Sequence, residues 1–286
     1  MTKLRIGVVA DIHAGATHPN IKCREAIGLL EQVVEEANAR SVDLFVTLGD
    51  NVTQTSPEQD FHHLLRVKEV LTRVRAPVVP LFGNNDLKFL SAEKAAEALG
   101  CNATSELRRV NGWTLLFWRP SCSVSLEHGI HLEENDLAWL RSALETAAYP
   151  TVVFLHAPID GHSMVGNYYF EKRPDLSGYS NAAAARSAIE DSGKVVLVLT
   201  GHVHWNAGST IDGIHYRTLA SLSDTFRQSG EASGAWGLLD LDPALILLEV
   251  FGAEPMKWSA PPRSKDTRWY QPRLGKAGAS EGSRNG

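Results

Sequence analysis

The sequence has little cysteine. Its 286 residues include only Cys23, Cys101 and Cys122, which are widely spaced and form no C-x-x-C pair. An odd, scattered set of this kind predicts neither a disulfide framework nor a structural zinc site built on thiolates. Since free thiols persist in a reducing compartment, we expect a cytoplasmic protein.

Long apolar runs are also lacking. The first run covers residues 6–10, has only Lys3 and Arg5 as basic residues before it, and ends at Asp11. Such a segment is too short for a signal peptide and far too short for a membrane-spanning helix. We interpret it as the first core strand and expect no membrane span.

Positive charge is not in excess. Lysine and arginine total 28, aspartate and glutamate total 33, and the formal net charge is −5. A chain with this balance has no overall attraction to a polyanionic backbone, so dedicated nucleic-acid binding is not expected.

The length of 286 residues is sufficient for one large α/β domain with a substantial core.

The sequence does contain an alternation of apolar runs and amphipathic segments. Runs without polar alternation predict strands that are buried on both faces. These runs cover residues 6–10, 44–48, 78–82, 152–155 and 195–199. Between them, helical spacing of apolar residues predicts helices at residues 26–39, after Ser56-Pro57, and near residues 137–144 and 182–189.

From residue 208 onward the pattern changes to short strands, predicted at residues 209–212, 214–219, 235–241 and 244–251. These strands imply an antiparallel end on a mixed sheet, and the predicted fold class is α/β, a four-layer α/β/β/α sandwich. We assign residues 1–255 to this domain and residues 256–286 to a basic C-terminal tail with seven basic and two acidic residues. The last residues of the tail, from Gly275, are predicted to be disordered.

Short polar segments follow five of the predicted strands. They are Asp11-Ile12-His13, Gly49-Asp50-Asn51, Gly83-Asn84-Asn85-Asp86, His156 and Gly201-His202-Val203-His204. The carboxyl ends of strands form the edge of an open α/β sheet at which ligands bind. We therefore expect these segments to meet in one functional site.

The side chains in these segments are suited to metal binding. Seven oxygen or nitrogen donors are available: Asp11, His13, Asp50, Asn84, His156, His202 and His204. Carboxylate, imidazole and carboxamide donors without thiolate suit Mn, Fe, Zn or Co. Seven donors exceed the needs of one tetrahedral site and suit two divalent ions, about 3.5–4 Å apart, that share one bridging carboxylate.

In this order the segments resemble the calcineurin-like metallophosphoesterase family, whose signature runs D-x-H, G-D, G-N-H-D/E, H and G-H-x-H. The resemblance covers roughly residues 4–220 and is greatest to the branch of cyclic-nucleotide and glycerophosphodiester phosphodiesterases. It implies that Asp50 bridges two metals. The implied ligands of the first metal are Asp11, His13 and His204, and those of the second are Asn84, His156 and His202.

The function implied by this resemblance is hydrolysis of a small phosphate ester, with a metal-bound hydroxide as the nucleophile. A phosphodiester is the preferred substrate. A phosphomonoesterase or nucleotidase is the alternative, and a non-catalytic metal-binding scaffold of the same fold is a further one. We expect Asp50, Asn84, Asn85 and Asp86 to form the catalytic part of the site.

Asn85 departs from the family signature, which has histidine at this position. Family histidines there are positioned to contact the phosphate and to protonate the leaving alkoxide, whereas an amide can donate a hydrogen bond but no proton at neutral pH. Either another group or water protonates the leaving group, or the leaving group needs little help. His18 and His162 are candidate substitutes, and each is alternatively a solvated loop histidine.

The residues around the motifs each have two possible roles. Asp86 could orient a ligand or cap the segment that follows it. Asn51 could contact the phosphate or only shape its loop. In the aromatic loop of residues 160–180, Tyr168 and Tyr169 are expected to select the substrate without affecting metal content. The alternative is that these tyrosines pack the loop onto the domain or form a subunit contact in an oligomer.

Overall fold

The described residues form two mixed six-stranded sheets, five α-helices and one small two-stranded sheet. This is a computed structural model that describes residues 1–125, 129–225 and 230–262. The strands are β1 (Leu4–Val9), β2 (Leu44–Thr47), β3 (Val78–Pro80), β4 (Glu106–Val110), β5 (Trp113–Phe117), β6 (Val124–Ser125), β7 (Gly129–Ile130), β8 (Thr151–Phe154), β9 (Val195–Thr200), β10 (Ala207–Ile211), β11 (Ile214–Thr218), β12 (Trp236–Leu241), β13 (Ile246–Phe251) and β14 (Met256–Ala260). The helices are α1 (Ala26–Ala39), α2 (Pro57–Leu71), α3 (Ala92–Leu99), α4 (Glu134–Thr146) and α5 (Ala182–Ser192).

Each sheet has a parallel part and an antiparallel part. The first sheet has the order β14-β13-β12-β1-β2-β3, in which β1, β2 and β3 are parallel and β12 to β14 are antiparallel. The second has the order β10-β11-β9-β8-β5-β4, in which β11, β9, β8 and β5 are parallel and both edge strands are antiparallel. The four strands predicted after residue 208 therefore divide between the two sheets.

The two sheets pack face to face, with helices on both outer sides. Val8 of β1 and Phe154 of β8 belong to the apolar cluster between the sheets. Val9 packs with α1, α2 and α3 in a second cluster, and Val153 packs with α4 and α5 in a third. Neighbouring residues of these strands face different layers, which explains their lack of polar alternation. The predicted four-layer α/β/β/α sandwich is confirmed.

The helix ends follow local chemistry. The Ser56 side chain accepts a hydrogen bond from the Gln59 N–H at the start of α2, and Pro57 occupies the first helical position. The helix predicted at residues 26–39 is observed at those residues. Several elements were not predicted, among them α3, which begins after the Ser91 cap, and the pairs β4–β5 and β6–β7.

The first sheet extends past residue 255, the predicted end of the domain. Strand β14 pairs with β13 over residues 256–260, so the first five residues of the predicted tail belong to the sheet. The part of the tail predicted to be disordered lies outside the described residues. Within the described residues, no helix has the length and apolar character needed to cross a membrane.

Candidate metal centre

The donor segments from both sheets converge at one end of the sandwich. Asp11 and Asp50 follow β1 and β2 of the first sheet, and His156 and His202 follow β8 and β9 of the second. Parallel pairing continues past the strands: the Asp11 N–H donates to Gly49 O at 3.1 Å, and the Gly201 N–H donates to His156 O at 2.8 Å. The carboxyl ends of the parallel strands therefore hold the donors in fixed register.

Two groups of three buried side chains have the geometry of metal sites. The first is Asp11, His13 and His204, and the second is Asp50, His156 and His202. Within each group, one potential ligand atom per residue lies within 4.8 Å of the others. The first group consists of the three ligands predicted for the first metal, and the second contains His156 and His202 together with Asp50, which was predicted to be shared. The predicted second-group ligand Asn84 has its Oδ1 3.2 Å from His156 Nε2.

In the second group, backbone carbonyls determine which ring nitrogen of each histidine is available to a cation. His156 Nδ1 lies 2.8 Å from Leu48 O, and His202 Nε2 lies 2.9 Å from Leu176 O. A carbonyl only accepts, so each of these two nitrogens carries the proton and the other ring nitrogen is unprotonated in the neutral ring. His202 Nδ1 is buried and has no hydrogen-bond partner in the described structure. These lone pairs fit a divalent ion.

In the first group, too, a hydrogen bond determines which ring nitrogen is available to a cation. His204 Nδ1 lies 2.6 Å from an oxygen of Asp224, so it carries the proton, and His204 Nε2 lies only 3.0 Å from His13 Nε2. His13 Nδ1 lies 3.3 Å from the Thr53 hydroxyl. The two Nε2 atoms thus point at a common volume, beside which Asp11 Oδ1 lies 3.7 Å from His204 Nε2. An ion at this volume would satisfy both rings.

Asp50 lies between the two groups. Its Oδ2 is 3.5 Å from His156 Nε2 and 3.9 Å from His13 Nε2, so one carboxylate borders histidines of both sites. Asn85 holds this carboxylate from the other side, because its backbone N–H donates to Oδ1 at 2.8 Å and its side-chain amide donates to Oδ2 at 2.6 Å. Asp50 therefore contacts histidines of both groups, as the predicted shared ligand would.

The charges of the metal-free chain also suit cations. Burial lowers the pKa of His13 to about 3, with His204 adding to the effect, and burial next to His156 lowers the pKa of His202 to about 3. Burial would lower the pKa of His156 too, but the Asp50 charge outweighs it and raises that pKa to about 9. The Asp50 pKa lies well below its usual range despite burial, because of His156. A metal therefore meets neutral imidazoles at His13 and His202 and displaces a proton from His156.

Five of the seven predicted ligands have a left-handed backbone. The φ angles are 50° for Asp11, 52° for His13, 49° for Asp50, 71° for His202 and 63° for His204. A left-handed conformation costs a residue that is not glycine on the order of 1–3 kcal/mol and persists where the surrounding structure enforces it. Such residues cluster at functional sites. The arrangement that turns these side chains toward each other therefore costs conformational free energy.

Beside the two groups is a cavity of about 330 Å³. It is lined by His13, Thr17, His18, Ile21, Asp50, Thr53, Gln54, Asn84, Asn85, Tyr169, Phe170, His202 and His204. Of the candidate substrate residues, His18 and Tyr169 line this cavity. Tyr168 is 67% exposed and is not one of the lining residues. His162 is paired with Asp160 at 2.9 Å and lines a different cavity.

Asn51 and Asp86 serve the loops rather than the cavity. Asn51 Oδ1 accepts from the Thr47 hydroxyl, and its amide donates to Leu81 O and to Asp86 Oδ2, both at 2.9 Å. Its polar groups are therefore engaged, which favours the alternative that Asn51 shapes its loop. Asp86 also accepts from the Gly83 N–H at 2.9 Å and the Val52 N–H at 3.1 Å. It thereby fastens the loop of Asp50 to the loop of Asn84.

Four contributors to the site were not predicted from the sequence. They are the Asp224 carboxylate, the Thr53 hydroxyl and the Leu48 and Leu176 carbonyls, each of which contacts a histidine of the two groups. A backbone carbonyl leaves no trace in the sequence. Asp224 lies 20 residues after His204, beyond the last motif, and no spacing rule connects the two.

The sequence model of the calcineurin-like phosphoesterase family matches residues 4–206 of the chain. A comparison with curated proteins gives no match. Among solved structures, a dimetal phosphatase from Danio rerio is 14% identical, with 91% of this chain and 99% of that chain covered and a TM-score of 0.75.

Two further solved structures share the architecture. GAP50, the anchor in the inner membrane complex of Plasmodium, is 13% identical, with 93% of this chain and 90% of that chain covered and a TM-score of 0.62. A phosphopantetheinyl hydrolase from Mycobacterium tuberculosis is 13% identical, with 77% and 90% covered and a TM-score of 0.51. At these identities the likeness shows the fold alone.

Proposed function

Because the chain belongs to the calcineurin-like phosphoesterase family, in which two divalent metals are used, we propose that it hydrolyses small phosphodiesters. Family membership and the two buried ligand groups support hydrolysis of phosphate esters. The choice of a diester over a monoester is our inference from the lining of the cavity.

The observation that favours a diester concerns the charge of the side chains that line the cavity. No lysine or arginine is among the described residues that line it, and its other walls include Ile21, Tyr169 and Phe170. A monoester brings two negative charges near neutral pH, whereas a diester brings one and has a second organic substituent. Apolar and aromatic walls suit that substituent better than a charged oxygen. The volume of about 330 Å³ suits a small ester.

The residues of the chain have distinct roles in this proposal. Asp11, His13 and His204 would hold one ion, and His156, His202 and Asn84 the other, with Asp50 shared between them. When bound, two divalent ions activate water, orient the phosphate and neutralise the charge that develops on its oxygens. Asn85 keeps Asp50 in place through two hydrogen bonds. Its amide is engaged with that carboxylate and supplies no proton.

His18 is the residue best placed to assist the leaving group. Its Nδ1 accepts a hydrogen bond from the Asn20 N–H at 3.3 Å, so the neutral ring carries its proton on Nε2. Burial lowers its pKa, which favours the neutral ring. A neutral imidazole donates a hydrogen bond to a departing oxygen but is a weak acid. We therefore propose that the preferred diesters have a leaving group that needs little protonation.

The test is a matched pair of esters with the same leaving group. After chelation and reconstitution with Mn, Fe, Zn or Co, kcat/KM is measured for bis-p-nitrophenyl phosphate and for p-nitrophenyl phosphate. Cyclic nucleotides, glycerophosphodiesters and nucleoside monophosphates extend the panel. We expect the diester to have the higher kcat/KM. A consistent preference for monoesters would identify a phosphomonoesterase or nucleotidase instead.

The Asp50→Asn variant is the control for contaminating phosphatases. The substitution keeps the size of the side chain but removes the charge between the two ligand groups. In the wild-type chain the Asn85 amide donates to the Asp50 carboxylate. In the variant, the side chain at position 50 carries an amide donor of its own next to this group. The variant should lose hydrolysis of both ester classes.

A cytoplasmic location is part of the same proposal and is supported by three free thiols.

A further inference from the structure

The aromatic loop contacts the histidine motif at three points. The Asn167 side-chain amide donates to Val203 O at 2.9 Å, and Leu176 O accepts from His202 Nε2 at 2.9 Å. The Tyr169 hydroxyl donates at 3.0 Å to Asp224 Oδ2, the same oxygen that accepts from His204 Nδ1 at 2.6 Å. Every residue of the segment 202–204 is therefore held, directly or through Asp224, by the loop of residues 164–176.

Ring packing follows the same arrangement. The ring of Tyr169 lies edge-on to that of His204, with centroids 5.2 Å apart, and the ring of Phe170 lies 5.1 Å from that of His202. Each metal group thus has one histidine that is covered by an aromatic ring of the loop. The loop is anchored internally as well, because Asn167 Oδ1 accepts from the backbone N–H groups of Tyr169 and Phe170.

We propose that residues 164–176 are a positioning element for the metal centre, and that the chain Tyr169–Asp224–His204 sets the affinity of the first metal site. The proposal rests on the proposed function only in requiring that the two groups bind metal. Tyr169 and Asp224 are positioning residues, since they act on the metal through His204. This goes beyond the expected role of the loop, which was to select substrate while leaving metal content intact.

The physical reason lies in the tautomer and orientation of His204. A carboxylate that accepts from Nδ1–H keeps the proton there and makes Nε2 a better ligand. Asp224 is 1% exposed, and its backbone is fixed independently by the hydrogen bond from its N–H to the Ser221 hydroxyl. The tyrosine hydroxyl donates to a charged acceptor and so restrains that carboxylate. Removal of such a partner typically lowers metal affinity about 10- to 100-fold.

The proposal predicts an asymmetry between the two sites. His204 belongs to the first group, while the second group is held by Leu48 O and Leu176 O. Loss of the Asp224 carboxylate should weaken the first site and leave the second unchanged. A purely structural role would lower the stability of the domain and affect both sites alike.

The experiment compares metal affinities of Asp224→Asn, Tyr169→Phe and Tyr168→Phe, each as the full-length chain stripped of metal. Tyr168→Phe is the matched control, since it removes a hydroxyl from the neighbouring exposed tyrosine. Zn²⁺ is titrated against a competing chelator, and Co²⁺ absorption reports each site. We expect about 10- to 100-fold weaker binding at one of two sites in Asp224→Asn, a smaller loss at that site in Tyr169→Phe, and unchanged affinities in Tyr168→Phe.

Two results would overturn the proposal. One is that Asp224→Asn and Tyr169→Phe both retain wild-type affinities at both sites. The other is that both sites weaken together with a fall in Tm. If Asp224→Asn does not fold, Tyr169→Phe decides the question, because it keeps the ring that packs on His204. No turnover is measured, so the outcome is independent of which ester is the substrate.

Discussion

Replacement of Gly83 by alanine should disable the metal centre without a change in any ligand. Gly83 precedes Asn84, and a Cβ atom built on it would lie 2.5 Å from the Asp50 backbone N and 2.7 Å from Asp50 Cγ, and still closer to Oδ1. Carbon atoms in contact are separated by about 3.5–4.0 Å. Either Asp50 or the Asn84 loop must therefore move by about 1 Å.

A displacement of this size has a calculable effect on the reaction. Misplacement of a catalytic group by about 1 Å can lower the rate about 10²-fold, which corresponds to about 3 kcal/mol of transition-state stabilisation. We expect kcat/KM of Gly83→Ala to fall at least that far. Because Asp50 borders histidines of both groups, the content of both metals should fall as well.

The assay combines metal analysis, hydrolysis of the preferred ester and circular dichroism. Gly28→Ala is the matched control, since a Cβ on this helical glycine meets no atom within 4 Å. It should keep full activity and gain up to about 1 kcal/mol of stability from the better helix propensity of alanine. Two ions per chain and near-normal kcat/KM in Gly83→Ala would refute the reasoning about Asp50.

Two further predictions concern protons. Asn85→His should raise turnover of diesters with alkoxide leaving groups relative to aryl esters, because an added acid contributes about 10²-fold or more only where protonation limits the rate; an equal loss for both ester types would show that the Asn85 contact with Asp50 matters more. In the metal-free protein, the pKa of His156 is raised to about 9, so protonation of this side chain stabilises the folded state. This contribution is complete below the pKa of the unfolded state, near 6.5, and is lost as the pH rises through 9. Urea unfolding should show this as a loss of about 2 kcal/mol between pH 7 and 9, and a flat profile would contradict it.

The ligand groups were predictable because their information is local. Each donor directly follows an apolar run, and parallel strands of one sheet end at the same edge. Asp50 has a left-handed backbone, and Gly49 before it has a φ of 93°. The glycine of the G-D motif is therefore explained by a positive φ angle that other residues rarely adopt.

What supports the ligands was not predictable in the same way. Asp224, Thr53 and the Leu176 carbonyl reach the histidines through contacts between segments that are distant in sequence. No periodicity or spacing encodes such contacts, since many serine, threonine and aspartate residues of the chain could serve equally. The aromatic loop was recognised as unusual, but composition could not show that Tyr169 faces the metal centre while Tyr168 faces solvent.

The support network explains why the strained ligand loops hold their shape. Left-handed residues such as Asp11 and His204 would relax if nothing enforced them, and burial of their polar atoms would be costly without partners. Asp11 accepts from the His202 N–H through both carboxylate oxygens, and its own carbonyl accepts from the Ser221 hydroxyl. The loops after β1 and β9 therefore restrain each other, and between them they carry ligands of both groups.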